Sequence, residues 1–70
     1  MLLKLIKTNN YFGQHDFVLE NVTNIDDTIS ILEDIKWTKK PSIHIDDNEI
    51  QIHCFTNYDK VKLEGVFTDG

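Results

Sequence analysis

Two histidines stand in a segment that alternates apolar and polar side chains without a break. Ser42-Ile43-His44-Ile45-Asp46 is followed by Asp47-Asn48 and then by Glu49-Ile50-Gln51-Ile52-His53-Cys54-Phe55. Asp47-Asn48 is a two-residue turn of the kind that tolerates positive φ. Closing there pairs Ile45 with Ile50 and Ile43 with Ile52, and a slip of one residue would turn every side chain to the wrong face. In this register Ser42, His44, Asp46, Glu49, Gln51 and His53 share the face away from the isoleucines, with His44 and His53 as diagonal neighbours.

Two imidazoles beside a carboxylate are the residue types that bind zinc or move a proton. The plainer source of the pattern is the alternation itself, which sends polar residues to the open face whatever they do. Zinc takes three or four protein ligands, and the third here would be an acid at the strand end. The chain has no HExxH, no CxxC and no glycine-rich phosphate loop. No metal and no cofactor is therefore expected. A small-molecule or metal-binding domain using the His44/His53 sheet face stands as the alternative reading.

Cys54 shares parity with Ile50 and Ile52, which places it on the core face, where a free thiol is a small inert hydrophobe. Ser42 and Ser30 have no positioned base in sight. His15-Asp16, beside the first turn, reads as part of a solvated loop. Asn21-Val22-Thr23 fits the glycosylation pattern but has no secretory signal before it. With no nucleophile, base or metal set in place, the chain is expected not to be an enzyme.

The elements that hold these residues are legible in outline. Leu2 to Lys7 reads as a strand ending in the turn-prone Thr8-Asn9-Asn10, and Phe17 to Val22 reads as a second. A type II′ turn at Gly13-Gln14 would set Lys7 against Glu20 and Leu5 against Val22; a shorter hairpin with a loose 8–16 loop is the other option. Asn24 or Asp26 caps a helix over about 25–37, with Ile25, Ile29, Leu32 and Ile35 or Lys36 as its buried stripe, Ile31 widening it, and Pro41 stopping its continuation. Lys39-Lys40 near its end complements the helix dipole. A turn at Asn57-Tyr58-Asp59 leads into a last strand over 60–67, where Val61, Leu63 and Phe67 alternate with Lys62, Glu64 and Val66. Residues 68–70 read as a frayed tail.

The expected plan is a single small α+β domain over 1–70, in the order β-β-α-β-β-β. An antiparallel sheet carries one helix on one face, and strands 3, 4 and 5 form a meander. The helix should cover Ile43, Ile45, Ile50, Ile52, Cys54, Val61 and Leu63.

Composition narrows the function. The chain has 70 residues with 40% hydrophobic and 27% charged side chains, which excludes a multidomain enzyme and a long solenoid. The core of so short a chain supplies roughly 3–5 kcal/mol, so a staple or a partner is the usual supplement. One cysteine forbids an internal disulfide and points to a reducing, cytoplasmic home. No signal peptide and no run of about 20 apolar residues is visible. The net charge is −5, with seven lysines and no arginine. Arginine is the main reader of phosphate and guanine, so with this acidic balance nucleic acid is not an expected partner; nor, without a long apolar run, is a membrane. The absence of alanine and the richness in isoleucine, asparagine and lysine resemble the products of AT-rich genomes, bacterial and phage among them.

The acids form two groups: Asp26, Asp27, Glu33 and Asp34 on the helix, and Asp46, Asp47 and Glu49 at the hairpin tip. Such groups steer a basic partner. Trp37, Phe55 and Tyr58, with Tyr11, Phe12 and Val66, exceed what one small core needs, and Phe55 and Val66 fall opposite the helix. Acids around aromatic anchors have the composition of a protein-binding surface. In size, charge and β-α-β plan the chain looks like small bacterial immunity proteins and phage-encoded inhibitors of host machinery, a likeness of class that carries over no residues. The expected function is a stoichiometric protein binder of that kind, with a basic partner protein and room for a homodimer.

Overall fold

The alternating segment folds as the hairpin its pattern demands. In a computed structural model that describes residues 1–67, β3 (Ser42–Asp46) pairs antiparallel with β4 (Glu49–Cys54), with Ile45 opposite Ile50 and Ile43 opposite Ile52. Asp47 takes φ 57° at the turn, a left-handed conformation that aspartate adopts more readily than bulkier side chains. Residues 68–70, read from sequence as a tail, lie outside the described residues.

β1 (Leu2–Asn9) and β2 (Gln14–Glu20) form the first hairpin, but not in the expected register. The turn occupies residues 10–13, and Gly13 supplies the positive φ of 69° that closes it. Lys7 faces Asp16, not Glu20, and Leu5 faces Phe17, not Val22. The observed register has a physical advantage: Leu3 and Leu5 meet Leu19 and Phe17 on one face, and cross-strand apolar pairs are what stabilise a sheet. The ladder shifts between Leu5 and Lys7, so Ile6 sits in a bulge.

β2 then pairs with β4, with Phe17 opposite Ile52 and Leu19 opposite Ile50. The sheet order is β1-β2-β4-β3. The two middle strands are β2 and β4, and their inward residues Phe17, Leu19, Ile50, Ile52 and Cys54 are buried. α1 (Ile25–Asp34) and α2 (Asn57–Phe67) complete the core through Leu32 and Leu63, with Val22 beside them. Leu3, Ile25, Ile29, Ile35, Trp37 and Phe67 pack around the rim. Because β3 has a neighbour on one side only, Ile43 and Ile45 remain 37% and 48% exposed.

The sheet is antiparallel and the class is α+β, but the element order is β-β-α-β-β-α. The expected fifth strand over 60–67 is helical, and the expected meander does not form: β4's second neighbour is β2. The reason is local. Thr56 caps α2 by accepting the Asp59 N–H at 3.1 Å, and Thr56-Asn57-Tyr58-Asp59 has the spacing of a capping box. From there Asp59, Leu63 and Phe67 follow at four-residue intervals onto one face, whereas Val61 is exposed. Lys60 and Glu64 form an i,i+4 ion pair on the helix side. α1 starts as expected, with the Asn24 side chain accepting the Asp27 N–H at 3.0 Å. It stops at Asp34, three residues short of the expected end. Trp37 turns back instead, its indole N–H donating to the Leu32 carbonyl at 2.9 Å.

Candidate functional site

The backbone N–H of Val22 donates to the Asn48 carbonyl at 2.9 Å. That bond seams the β2–α1 connection to the β3–β4 turn. The Asn24 cap sets Asp26 and Asp27 on the first turn of α1, where the positive end of the helix dipole favours them. The turn carries Asp46 and Asp47. These four carboxylates are exposed at one end of the molecule, with half-buried Glu49 beside them. No lysine lies between Lys7 and Lys36 in the sequence, and the nearby Lys4 pairs with Glu20 at 3.1 Å. The two acidic groups therefore share an end, except for Glu33 and Asp34. Those two lie on the last turn of α1, roughly 10 Å further along its axis.

The aromatic residues gather at the other end. The Gly13 turn approaches Asn57 closely: a Cβ at Gly13 would lie 3.5 Å from the Asn57 nitrogen. Tyr11 and Phe12 on that turn are 88% and 64% exposed, and Tyr58 on the first turn of α2 is 73% exposed. Tyr11 and Phe12 meet edge to face at 4.8 Å. Phe55 is half-buried, with its ring 4.7 Å from that of His53 and the Lys39 ammonium 5.0 Å above it. Trp37 is half-buried against the core. The structure thus brings Asp26, Asp27, Asp46, Asp47 and Glu49 together, and sets Glu33, Asp34, Trp37, Phe55 and Tyr58 away from them.

On the outer sheet face the cross-strand row is Lys7, Asp16, His53 and Ser42. His53 Nδ1–H donates to Asp16 Oδ1. His44, Gln51 and Ser42 border the same shallow groove of about 370 Å³. Ser42 stands opposite His53 in register, but no hydrogen bond joins their side chains among the described residues. Nor, among those residues, do three metal-ligating side chains converge. Asp16, a strand residue and not the loop residue its neighbourhood in sequence implies, is the carboxylate that meets the histidine, and a strand-to-strand pairing between β2 and β4 puts it there.

The remaining polar residues with chemical potential are interior. His15 is a strand residue, 1% exposed, not a loop residue. Its Nε2–H donates to Asn57 Oδ1 at 2.7 Å and its Nδ1 meets the Thr8 hydroxyl at 2.9 Å. Cys54 lies opposite it in register and is fully buried. Burial, then the negative charges of Asp59 and Asp16, push the thiol up to about 11, so it is a neutral packing group. Asp59 is also fully buried. Burial alone would raise its carboxyl. The backbone N–H groups of Thr38 (2.7 Å) and Lys39 (3.0 Å), the Thr56 hydroxyl (2.8 Å) and the Lys62 ammonium (3.8 Å) outweigh that and hold it below the ordinary aspartate value. Its role is structural: it ties the α1–β3 connection to the start of α2. No family model, no curated protein and no solved structure matches the chain. Among the described residues no helix is long and apolar enough to cross a membrane.

Proposed function

We propose that the chain is a non-enzymatic protein-binding module of the stoichiometric inhibitor or immunity type, of bacterial or phage origin, working in the cytoplasm. Its acidic end meets a basic surface on the partner. The observation that carries this reading is the Val22–Asn48 seam, which assembles Asp26, Asp27, Asp46 and Asp47 into one field without a neighbouring free lysine. Clustered like charge at one end raises association rates with an oppositely charged partner and repels acidic ones. The interior histidine and cysteine are saturated or desolvated, which favours a binding role over catalysis. Exposed Tyr11, Phe12 and Tyr58 at the far end are a second contact area of the kind that anchors interfaces.

The test is stoichiometric co-purification from a native host, repeated with Asp26, Asp27, Asp46 and Asp47 changed to Asn. A basic protein recovered in equal amount by the wild type and lost with the variant supports the reading; equal recovery by both contradicts it.

The second reading is a small polar ligand in the outer-face groove, favoured by the His53–Asp16 contact beside Ser42, His44 and Gln51. It requires ligand-dependent shifts in the His44 and His53 ring signals that His53→Ala abolishes. Zinc is the first probe for this groove.

A further inference from the structure

We infer that β3 is a dimerisation edge, pairing antiparallel with the β3 of a second copy about a two-fold axis through His44. The inference concerns the chain alone and does not depend on the partner proposed above.

The sheet is open, so β1 and β3 both present an unpaired edge. Natural proteins block such edges with lysines, bulges or proline. β1 has Lys4, Lys7 and the bulge at Ile6. Self-pairing of β1 about its midpoint would also set Lys4 against Lys7 of the second copy. β3 has no lysine, no proline and no bulge within it.

The two-residue turn fixes which β3 backbone groups are free. Asp46 and Glu49 flank it as a hydrogen-bonded pair, so Ser42, His44 and Asp46 direct their N–H and C=O groups to β4. The groups of Ile43 and Ile45 point outward. In a two-fold antiparallel pairing about His44, Ile43 meets Ile45 of the second copy, twice. Each meeting makes two backbone hydrogen bonds, about four in all. On the inner face these half-exposed isoleucines pack on one another beside the groove formed by Leu32, Trp37, Pro41 and Ile43. On the outer face Ser42 meets the second copy's Asp46.

Charge selects the antiparallel arrangement. It carries Lys40 alongside the second copy's Asp47 turn, and Asp47 alongside the second copy's Lys40. All are exposed, and Lys40, Asp46 and Asp47 have no ion pair among the described residues. A parallel pairing would instead set Lys40 beside Lys40. The acids Asp26 and Asp27 on α1 stay outside this edge contact. A contact of this size is at the small end for a specific interface, so the dimer depends on concentration. The net charge of −5 on each copy opposes approach over long range, a repulsion that about 0.15 M salt largely screens.

The geometry is tested by cysteine cross-linking of the full chain. His44 would face its own copy as a non-hydrogen-bonded pair, with Cα atoms about 4.5 Å apart, within disulfide range. His44→Cys should form a covalent dimer under mild oxidation. Ser42→Cys and Asp46→Cys should each fail alone and cross-link when mixed. Buried Cys54 does not compete. In sedimentation, Lys40→Glu and Asp47→Lys should each weaken the dimer about fivefold or more, and mixing the two variants should restore it. Circular dichroism of each variant checks that the fold is kept. A wild type that stays monomeric at about 1 mM overturns the inference. So does a dimer in which His44→Cys does not cross-link.

Discussion

Val22 and Asn48 are joined by one backbone hydrogen bond of 2.9 Å, and through it the start of α1 and the tip of the central hairpin present their acids on one end. Sequence shows two acidic groups. The seam makes them one field, with lysines Lys36, Lys39 and Lys40 following the far end of α1. NMR relaxation by cationic and anionic paramagnetic co-solutes reads such a field directly. The cation should be enriched over the anion around residues 24–28 and 46–49, and not around 10–13 or 56–58. Equal ratios at the two ends would contradict the charge separation.

Asp59 gives the clearest pH dependence. Its folded carboxyl lies below its ordinary value, so it contributes stability that is fully present above the unfolded pKa and is lost as pH falls through the lower folded value. Asp59→Asn should lower stability at neutral pH by about 2–4 kcal/mol, and the gap to wild type should narrow as the solution is acidified. Denaturant titrations at a series of pH values check this. A gap that stays constant down to the acid limit would show that Asp59 does not carry the dependence.

His15 and Asn57 join the first hairpin to the start of α2 at the edge of the core. Asn57→Ala leaves a buried ring N–H without its acceptor and should cost about 1–3 kcal/mol. His15→Ala, which removes the ring as well, should cost about as much or more. Both are measured by chemical denaturation. A loss below about 0.5 kcal/mol for Asn57→Ala would mean that the bond is not maintained in solution.

The central hairpin was legible because local information sufficed: strict alternation, a two-residue turn and isoleucines of one parity fix both pairing and faces. The α1 cap was legible for the same reason, since Asn24 acts within its own first turn. α2 is hidden in the sequence because Lys60-Val61-Lys62-Leu63-Glu64 alternates like a strand. Only Thr56 and Asp59, at capping-box spacing, and the interval from Leu63 to Phe67 marked a helix. The first hairpin's register depends on β2 entering the sheet beside β4, which no local pattern encodes. The same long-range pairing buries His15 opposite Cys54 and brings Asp16 to His53. Of the candidate site, residue types were readable and their grouping was not: Glu33 and Asp34 belong with the first-turn acids in sequence and away from them in space.

Cys54 is fully buried with its thiol raised to about 11, so alkylation requires opening of the fold. At pH 8 its reaction with iodoacetamide should be slower than that of the unfolded chain by about a hundredfold or more. Labelling at the rate of a free thiol would contradict its interior placement and, with it, any reading of this thiol as inert.

The central claim is that the acidic end recognises a basic protein. Its most direct test is the association rate of a partner, recovered by stoichiometric co-purification, with purified wild type and variants at low and moderate salt. Neutralising Asp26, Asp27, Asp46 and Asp47 should slow association about tenfold or more and flatten its salt dependence, while at about 0.15 M salt, where screening acts within about 8 Å, neutralising Glu33 and Asp34 should leave the rate within about twofold. Equal rates for the wild type and the fourfold variant at low salt would contradict the claim.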